Sequence, residues 1–325
     1  MTEIQIAEAA ADMRLDRFLR RETPGLTQSM LQKLLRAGKI RLNGHRAEAN
    51  TRLVIGDTLS VPDIAPPTLA PKQRHIVKMD DARIKDLERM ILHRDDSIIV
   101  LNKPAGLPVQ GGSGILVHVD GMLDALQGSA PERPRLVHRL DRDTSGILVI
   151  ARSSRVANKL AAAFRGRDVE KTYWALLAGL PETLEGRIDL PLKRLDLGTT
   201  SRSEPASRKD KDAQKAVTDY RVLDKAGKKF CLVELSPHTG RMHQLRAHCL
   251  ALGTPILGDE VYGGIIAEPF AAQLHLHARR LGFPHPDGDF FTIEAPLPKH
   301  MLSGLHYLGF PAPEAAPPYR VGKGG

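Results

Sequence analysis

The chain has 325 residues, 42% hydrophobic and 26% charged, so it can bury a sizeable core and is too apolar for a globally disordered polymer. Forty-seven Lys and Arg against 38 Asp and Glu give a net charge of +9, a balance that suits a phosphate-bearing partner. Two cysteines, Cys231 and Cys249, exclude a disulfide framework and a four-cysteine zinc site. No run approaches the ~18 apolar residues of a membrane span, and the N-terminus lacks the charged-then-apolar pattern of a secretion signal. The expectation is a cytoplasmic, two-domain protein without membrane contact.

The first 62 residues form a basic unit. Between Arg14 and Arg21, Leu15, Phe18 and Leu19 recur at helical spacing with arginines on the other face. Thr27 is placed to cap a second helix whose apolar stripe is Leu31, Leu34 and Leu35, with Gly38 as its stop. Ile40-Arg41-Leu42 reads as a strand, Asn43-Gly44 as a tight turn and Thr58 to Val61 as another strand. Nine Arg or Lys against three Asp or Glu lie between Asp12 and Arg46. A solvated basic face is one account of this excess. A phosphate-contacting module is the other, because clustered cations release counterions from nucleic acid. Its candidate contacts are Arg14, Arg17, Lys33, Arg36, Lys39 and Arg41. The segments RLDRFLRRE, TQSMLQKLLRAGKIRLNG and GDTLSV resemble the small S4 RNA-binding module over about residues 13–62.

Pro62 to Pro71 is rich in Pro and Ala, and residues 63–88 are expected to be a linker. Residues 89–310 change to short strands, turns and helices, an α+β texture. Ile98 to Leu101 and Ile147 to Ile150 are apolar runs expected as buried strands. Pro108 to Gly114 is a Gly-rich loop without P-loop chemistry, read as a hinge or close-approach loop. Ser153 or Ser154 can cap a helix through Arg165. Lys171 to Leu177 follows as a strand, and Lys193 to Lys215 is expected to be a mobile polar loop. Val217 to Val222 and Phe230 to Leu235 flank a hairpin turn. Thr239-Gly240 leads into an amphipathic helix ending before Gly253, and late strands lie near Leu274–Ala278 and Phe290–Glu294. Residues 311–325, rich in Pro and Gly, are expected to fray.

Three separated segments carry candidate chemistry. HRLDRDTSG, His138 to Gly146, sets the carboxylate of Asp141 in a basic turn just before a buried strand, where a rigid frame holds loop side chains in place. Lys171-Thr172-Tyr173 and His238 to His248, HTGRMHQLRAH, are the others. Each has a plain structural alternative: a surface ion pair for Asp141, a core position for Tyr173, a surface ion-pair partner for Arg246, and packed or solvated rings for His243 and His248. No acidic or cysteine partner stands at ligand spacing, so no metal site is expected.

The ordered set HRLDRDTSG, KTYWALL, TGRMHQLRAH, LGTPILGDEVYGG and LHLHARRLGFPHP resembles the RluA-type pseudouridine synthases over roughly residues 90–300. The resemblance implies a mixed, mainly antiparallel sheet and isomerisation of uridine in RNA, with no metal or organic cofactor. It implies that Asp141 is the catalytic carboxylate, Tyr173 the active-site tyrosine and Arg246 its basic partner, and that Arg139 displaces the base from its stack. The segments KPAGLPVQGGSG and RDTSG look most like members acting on large-subunit rRNA. Arg246 is expected to pair with Asp141 and orient it. A monomer is expected. The competing reading is a non-catalytic RNA-binding factor of ribosome assembly. A nucleic-acid glycosidase would release free uracil, and a zinc deaminase lacks its His-x-Glu and Cys-x-x-Cys pair.

Overall fold

The computed structural model describes residues 2–23, 26–62, 79–112, 114–166, 168–196, 201–263, 272–311 and 320–321. The chain divides into two compact units, residues 1–74 and 75–325.

In the first unit, β1 (Thr2–Gln5) precedes α1 (Leu15–Glu22) and α2 (Gln28–Arg36), and β2 (Arg41–Leu42), β3 (His45–Arg46) and β4 (Thr58–Val61) complete an antiparallel sheet ordered β1-β4-β2-β3. The Thr27 hydroxyl accepts the Met30 N–H at 3.2 Å, as its position before α2 predicts. Asn43 and Gly44 both take positive φ, 51° and 78°, and close the β2–β3 turn. Leu15, Phe18, Leu19, Leu31, Leu35, Ile40 and Leu59 form the core. The basic side chains are left outside it.

Residues 63–78 of the expected linker lie outside the described residues. Its last part is not extended: Asp81–Arg89 forms α3. The Asp80 carboxylate accepts the Arg83 N–H at 2.9 Å, and Leu87 is buried against the larger core. Capping and one apolar anchor make a helix of the last part of a stretch assigned to the linker.

The second unit then runs β5 (Ile91–Arg94), β6 (Ile98–Lys103), α4 (Val119–Met122), β7 (Arg135–Leu136), β8 (Ser145–Ala151), α5 (Ser154–Arg165), β9 (Glu170–Ala178), β10 (Glu185–Asp189), β11 (Leu192–Asp196), β12 (Ser201–Pro205), β13 (Val217–Ala226), β14 (Phe230–Pro237), α6 (Gln244–Ala251), β15 (Leu276–Pro284), β16 (Phe290–Glu294), α7 (Lys299–Tyr307) and β17 (Arg320–Val321). The main sheet follows the order β10-β13-β14-β9-β15-β8-β6-β5, with β16 beside β15 and β7 beside β8. The β15–β8 pair is parallel and the other ladders are antiparallel, so the expected mixed, mainly antiparallel α+β sheet is present.

The apolar runs of β6 and β8 are buried on both faces, which is why they show no alternation. Ile99, Leu101, Leu148 and Ile150 pack on one side with Val119, Met122 and Leu123. Ile98, Val100, Ile147 and Val149 pack on the other with Val156 and Leu160 of α5, whose first turn is capped by Ser153.

Three expectations change. Lys193 to Lys215 is not a structureless loop: β11 and β12 pair as a hairpin, with 197–200 outside the described residues. Buried Leu192 and Ser203 anchor it. The helix after Thr239-Gly240 starts later, at Gln244, and six of its eight residues are buried, so it is an interior helix instead of an amphipathic one. In the tail, Arg320–Val321 pairs with β16, while 312–319 and 322–325 lie outside the described residues.

Candidate active site

One lateral row of strand partners fixes the site: Lys103 of β6 stands opposite Gly146 of β8, Gly146 beside Ala278 of β15, Ala278 opposite Tyr173 of β9, and Tyr173 opposite Leu235 of β14. Gly146 has φ +109°, and a Cβ there would collide with the backbone of Ala278. The glycine ending HRLDRDTSG thus lets β8 and β15 meet in parallel, with Tyr173 on the next strand.

Asp141 lies on the loop before β8, 27% exposed. Lys103 secures that loop from below. Its side chain is fully buried, and Nζ donates to the carbonyls of Pro104 at 2.8 Å, Leu107 at 2.9 Å and Arg142 at 2.9 Å. The Gly106 N–H donates to the same Arg142 carbonyl at 3.0 Å. Burial pushes the Lys103 ammonium down to about 7, and the charges of Asp143 and Asp141 oppose the shift. Three carbonyls accept the three protons of an ammonium, so the geometry favours the charged form.

The arginines of the loop do not pair with Asp141. Arg142 turns to Asp143, at 2.9 and 3.1 Å, and Arg139 is exposed. His138, the first residue of the motif, is a framework residue. Its Nε2 accepts the Val149 N–H at 2.9 Å and its ring stacks on Phe164 at 4.4 Å, and burial lowers it to about 3.

Tyr173 is half-buried between two core clusters. Burial raises its phenol well above the usual range, and the nearby Asp141 charge adds to the shift. It is therefore protonated at neutral pH and lies within electrostatic reach of the carboxylate.

Arg246 departs from expectation. Its Nε and Nη2 donate to the two carboxylate oxygens of Asp259 at 2.7 and 2.6 Å, and both side chains are buried. The direct Asp141–Arg246 pair is replaced by this bidentate pair. Asp259 Oδ1 also accepts the N–H groups of Val261 and Tyr262, each at 3.0 Å, and the guanidinium lies over the Tyr262 ring at 5.2 Å. A buried ion pair needs this full set of hydrogen bonds to offset its desolvation. Burial works against the Arg246 charge, but Asp259, and Asp141 behind it, raise its pKa overall. Asp141 therefore faces a preoriented positive charge that another acid holds in place.

The segment HTGRMHQLRAH divides its tasks. Gln244 accepts from the Thr239 hydroxyl at 2.7 Å and donates to the Val217 carbonyl at 3.0 Å, tying the helix start to β13. His248 bridges Thr218 and the Leu190 carbonyl, each at 3.0 Å. His243 points towards Asp141, with Nε2 4.0 Å from Oδ2. Sequence reasoning weighs His243 only as a packed or solvated ring, and it does not single out Asp259, Tyr262 or Lys103. Each works through a long-range contact, and Asp259 and Tyr262 sit in a turn with no periodicity to expose them.

In the smaller unit, Arg17, Lys33, Arg36, Lys39 and Arg41 are exposed. Arg14 differs: it is engaged by Asp16 at 3.1 and 2.8 Å. Among the described residues, no group of three or more His, Cys, Asp or Glu is arranged to hold a metal ion. No helix among them is long and apolar enough to cross a membrane.

Comparison with known proteins places the site in context. Residues 97–251 match the family model described as RNA pseudouridylate synthase, and residues 13–59 match the S4 domain. The chain is 35% identical over 312 residues to the ribosomal large subunit pseudouridine synthase C of Vibrio cholerae, covering 93% of this chain and 95% of that protein. It is 37% identical over 292 residues to the protein of the same name from Rickettsia prowazekii, covering 88% and 94%. Among solved structures, human RNA pseudouridylate synthase domain containing 4 is similar at 32% identity and a TM-score of 0.60, covering 70% of this chain and 96% of that one.

Proposed function

This chain belongs to the RNA pseudouridylate synthase family, and on that premise we propose that it converts uridine to pseudouridine in large-subunit rRNA with Asp141 as the reacting carboxylate. The observation that carries the reading is the setting of Asp141. Its carboxylate is partly open to solvent, His243 Nε2 lies 4.0 Å from it, and Tyr173 and the buried, Asp259-paired Arg246 lie within its electrostatic reach. The relatives named for the large ribosomal subunit support the choice of RNA.

The reaction is an isomerisation, so its atoms balance without a co-reactant. The N1–C1′ bond breaks, C5 bonds to C1′, C5 loses its proton and N1 gains one. Asp141 meets the positive charge that develops at C1′. Arg246, held by Asp259, keeps the field at Asp141 fixed before the substrate arrives. The target nucleotide leaves its stack first. Tyr173 packs against the extruded ring, and Arg139, exposed ahead of Asp141, occupies the space left in the stack. Arg14, Arg17, Lys33, Arg36, Lys39 and Arg41 contact RNA phosphates from the S4 unit (residues 1–62), and residues 89–310 carry the chemistry. A cytoplasmic monomer is the simplest form of this reading, since the substrate RNA is there and one chain supplies every group named.

The test uses large-subunit rRNA carrying 5-tritiated uridine. Tritium released to water with uracil retained in the chain is the expected result. Release of free uracil would make the protein a glycosidase. RNA binding without tritium release would make it a non-catalytic assembly factor. Loss of particular pseudouridines from the rRNA of a deletion strain, restored by the gene, would identify the target sites.

A further inference from the structure

Among the described residues, three non-glycine residues have left-handed backbone: Asp12, Asn43 and His243. Asp12 and Asn43 are exposed residues of the smaller unit. His243 is different. It sits at the start of α6 with φ 51° and ψ 23°, yet its side chain makes no capping hydrogen bond to the helix. The unusual backbone aims the imidazole elsewhere. Nε2 lies 4.0 Å from Asp141 Oδ2, Nδ1 lies 3.3 Å from the Tyr262 hydroxyl, and the ring meets the Tyr262 ring edge-on at 5.7 Å.

The Tyr262 hydroxyl accepts the Ser203 N–H at 2.7 Å. Its single proton has two acceptors in reach, the Ser203 carbonyl at 2.9 Å and His243 Nδ1 at 3.3 Å. Ser203 belongs to β12, and its own hydroxyl donates to the Met242 carbonyl at 2.5 Å. A chain of polar contacts therefore runs from the β11–β12 hairpin through Tyr262 and His243 to Asp141.

We propose that His243 is a positioning residue for Asp141: Tyr262 donates to Nδ1, which leaves the imidazole proton on Nε2, and that N–H orients the carboxylate for the ribose. The tautomer of a histidine is set by the hydrogen bond its other nitrogen makes. Burial disfavours the imidazolium, Asp141, Asp259 and Asp143 favour it, and Arg246 opposes them, with a net lowering that keeps the ring neutral at pH 7. A neutral ring has one proton to place, so Tyr262 decides where it goes. The 4.0 Å separation closes to a hydrogen bond by about 1 Å of movement, as catalytic contacts commonly tighten when substrate seats.

The inference rests on Asp141 being the reacting group, so Asp141→Asn is measured alongside. Single-turnover tritium release and RNA affinity are compared for the full-length wild type, His243→Asn, His243→Gln, Tyr262→Phe and the His243→Asn/Tyr262→Phe double variant. Asparagine tolerates the left-handed backbone but is too short to reach Asp141. Glutamine places an amide N–H near the position of Nε2. The expected results are a rate loss of at least tenfold for His243→Asn with RNA affinity within threefold, recovery to within threefold of wild type for His243→Gln, and a smaller loss for Tyr262→Phe. The double variant should be no slower than His243→Asn, because both act through one contact. With Asp141→Asn inactive, the inference is overturned if His243→Asn stays within threefold of wild type. It is also overturned if His243→Gln is no faster than His243→Asn, or if the two losses multiply. An active Asp141→Asn would instead remove the reading of the carboxylate itself.

Discussion

The two units handle charge in opposite ways. In residues 1–74 the cations of α1, α2 and β2 stand in water around a small apolar core. In residues 75–325, Lys103, Arg246 and Asp259 are buried, and each has hydrogen-bond partners that hold its charge in place. Exposed charge acts at long range and tolerates rearrangement, but it is screened by salt. Buried charge sets geometry, and removing one partner strands the other. The first arrangement suits capture of a polyanion and the second suits holding one carboxylate in place.

Acid should break this contrast most strongly. Burial holds His138 and His277 at about 3 and His275 at about 4, against 6.5 for the free side chain. The unfolded chain therefore binds protons that the folded unit refuses. The stability these groups contribute is complete above pH 6.5 and is lost as pH falls towards 3–4, at about 1.4 kcal/mol per pH unit for each histidine. Residues 1–74 carry one histidine, the exposed His45. Amide NMR signals of β8 and β15 should disappear at a higher pH than those of α1 and α2. Loss of both sets together would erase the distinction.

Asp259→Ala comes next. It leaves the Arg246 guanidinium buried without its bidentate partner, and about 3 kcal/mol of stability should be lost by denaturant titration. Tritium release should fall at least a hundredfold at temperatures where the variant is folded. A stable variant with ordinary turnover would show that Arg246 needs no fixed partner.

Lys103→Met should lower stability by about 2–3 kcal/mol, because three carbonyls lose their donor. Its thermal midpoint should fall while RNA affinity stays near wild type. An unchanged midpoint would mean that the three hydrogen bonds contribute nothing net.

The smallest effect should be in the first unit. Replacing Lys33, Arg36, Lys39 and Arg41 with Gln should leave the fold intact and weaken RNA binding. The log–log salt slope should decrease by about 0.7–0.9 for each phosphate that is no longer neutralised. An unchanged slope would remove these residues from the RNA interface.

Local signals made the elements legible: the cap at Thr27, the Asn43-Gly44 turn, the cap at Ser153 and the apolar runs of β6 and β8. The hairpin of β11 and β12 was hidden because polar, charged strands give little periodicity. α3 was hidden by its polar composition. Around the candidate site, the places of Asp141 before β8 and Tyr173 on β9 could be read from motifs whose neighbours share their loop or strand. The partner of Arg246 could not. Asp259 is 13 residues away along the chain, in a turn, and no spacing rule marks a carboxylate that holds an arginine. The motif joined Arg246 to Asp141 directly, whereas the fold inserts Asp259 beside the arginine and turns His243 towards Asp141.

In the proposed mechanism the Asp141 carboxylate does the chemistry inside a frame that does not depend on it. Single-turnover tritium release by Asp141→Asn, measured with its RNA affinity and thermal midpoint, tests this most directly. The expected result is no detectable release, with affinity within a few-fold of wild type and an unchanged midpoint. Release within a few-fold of the wild-type rate would contradict it.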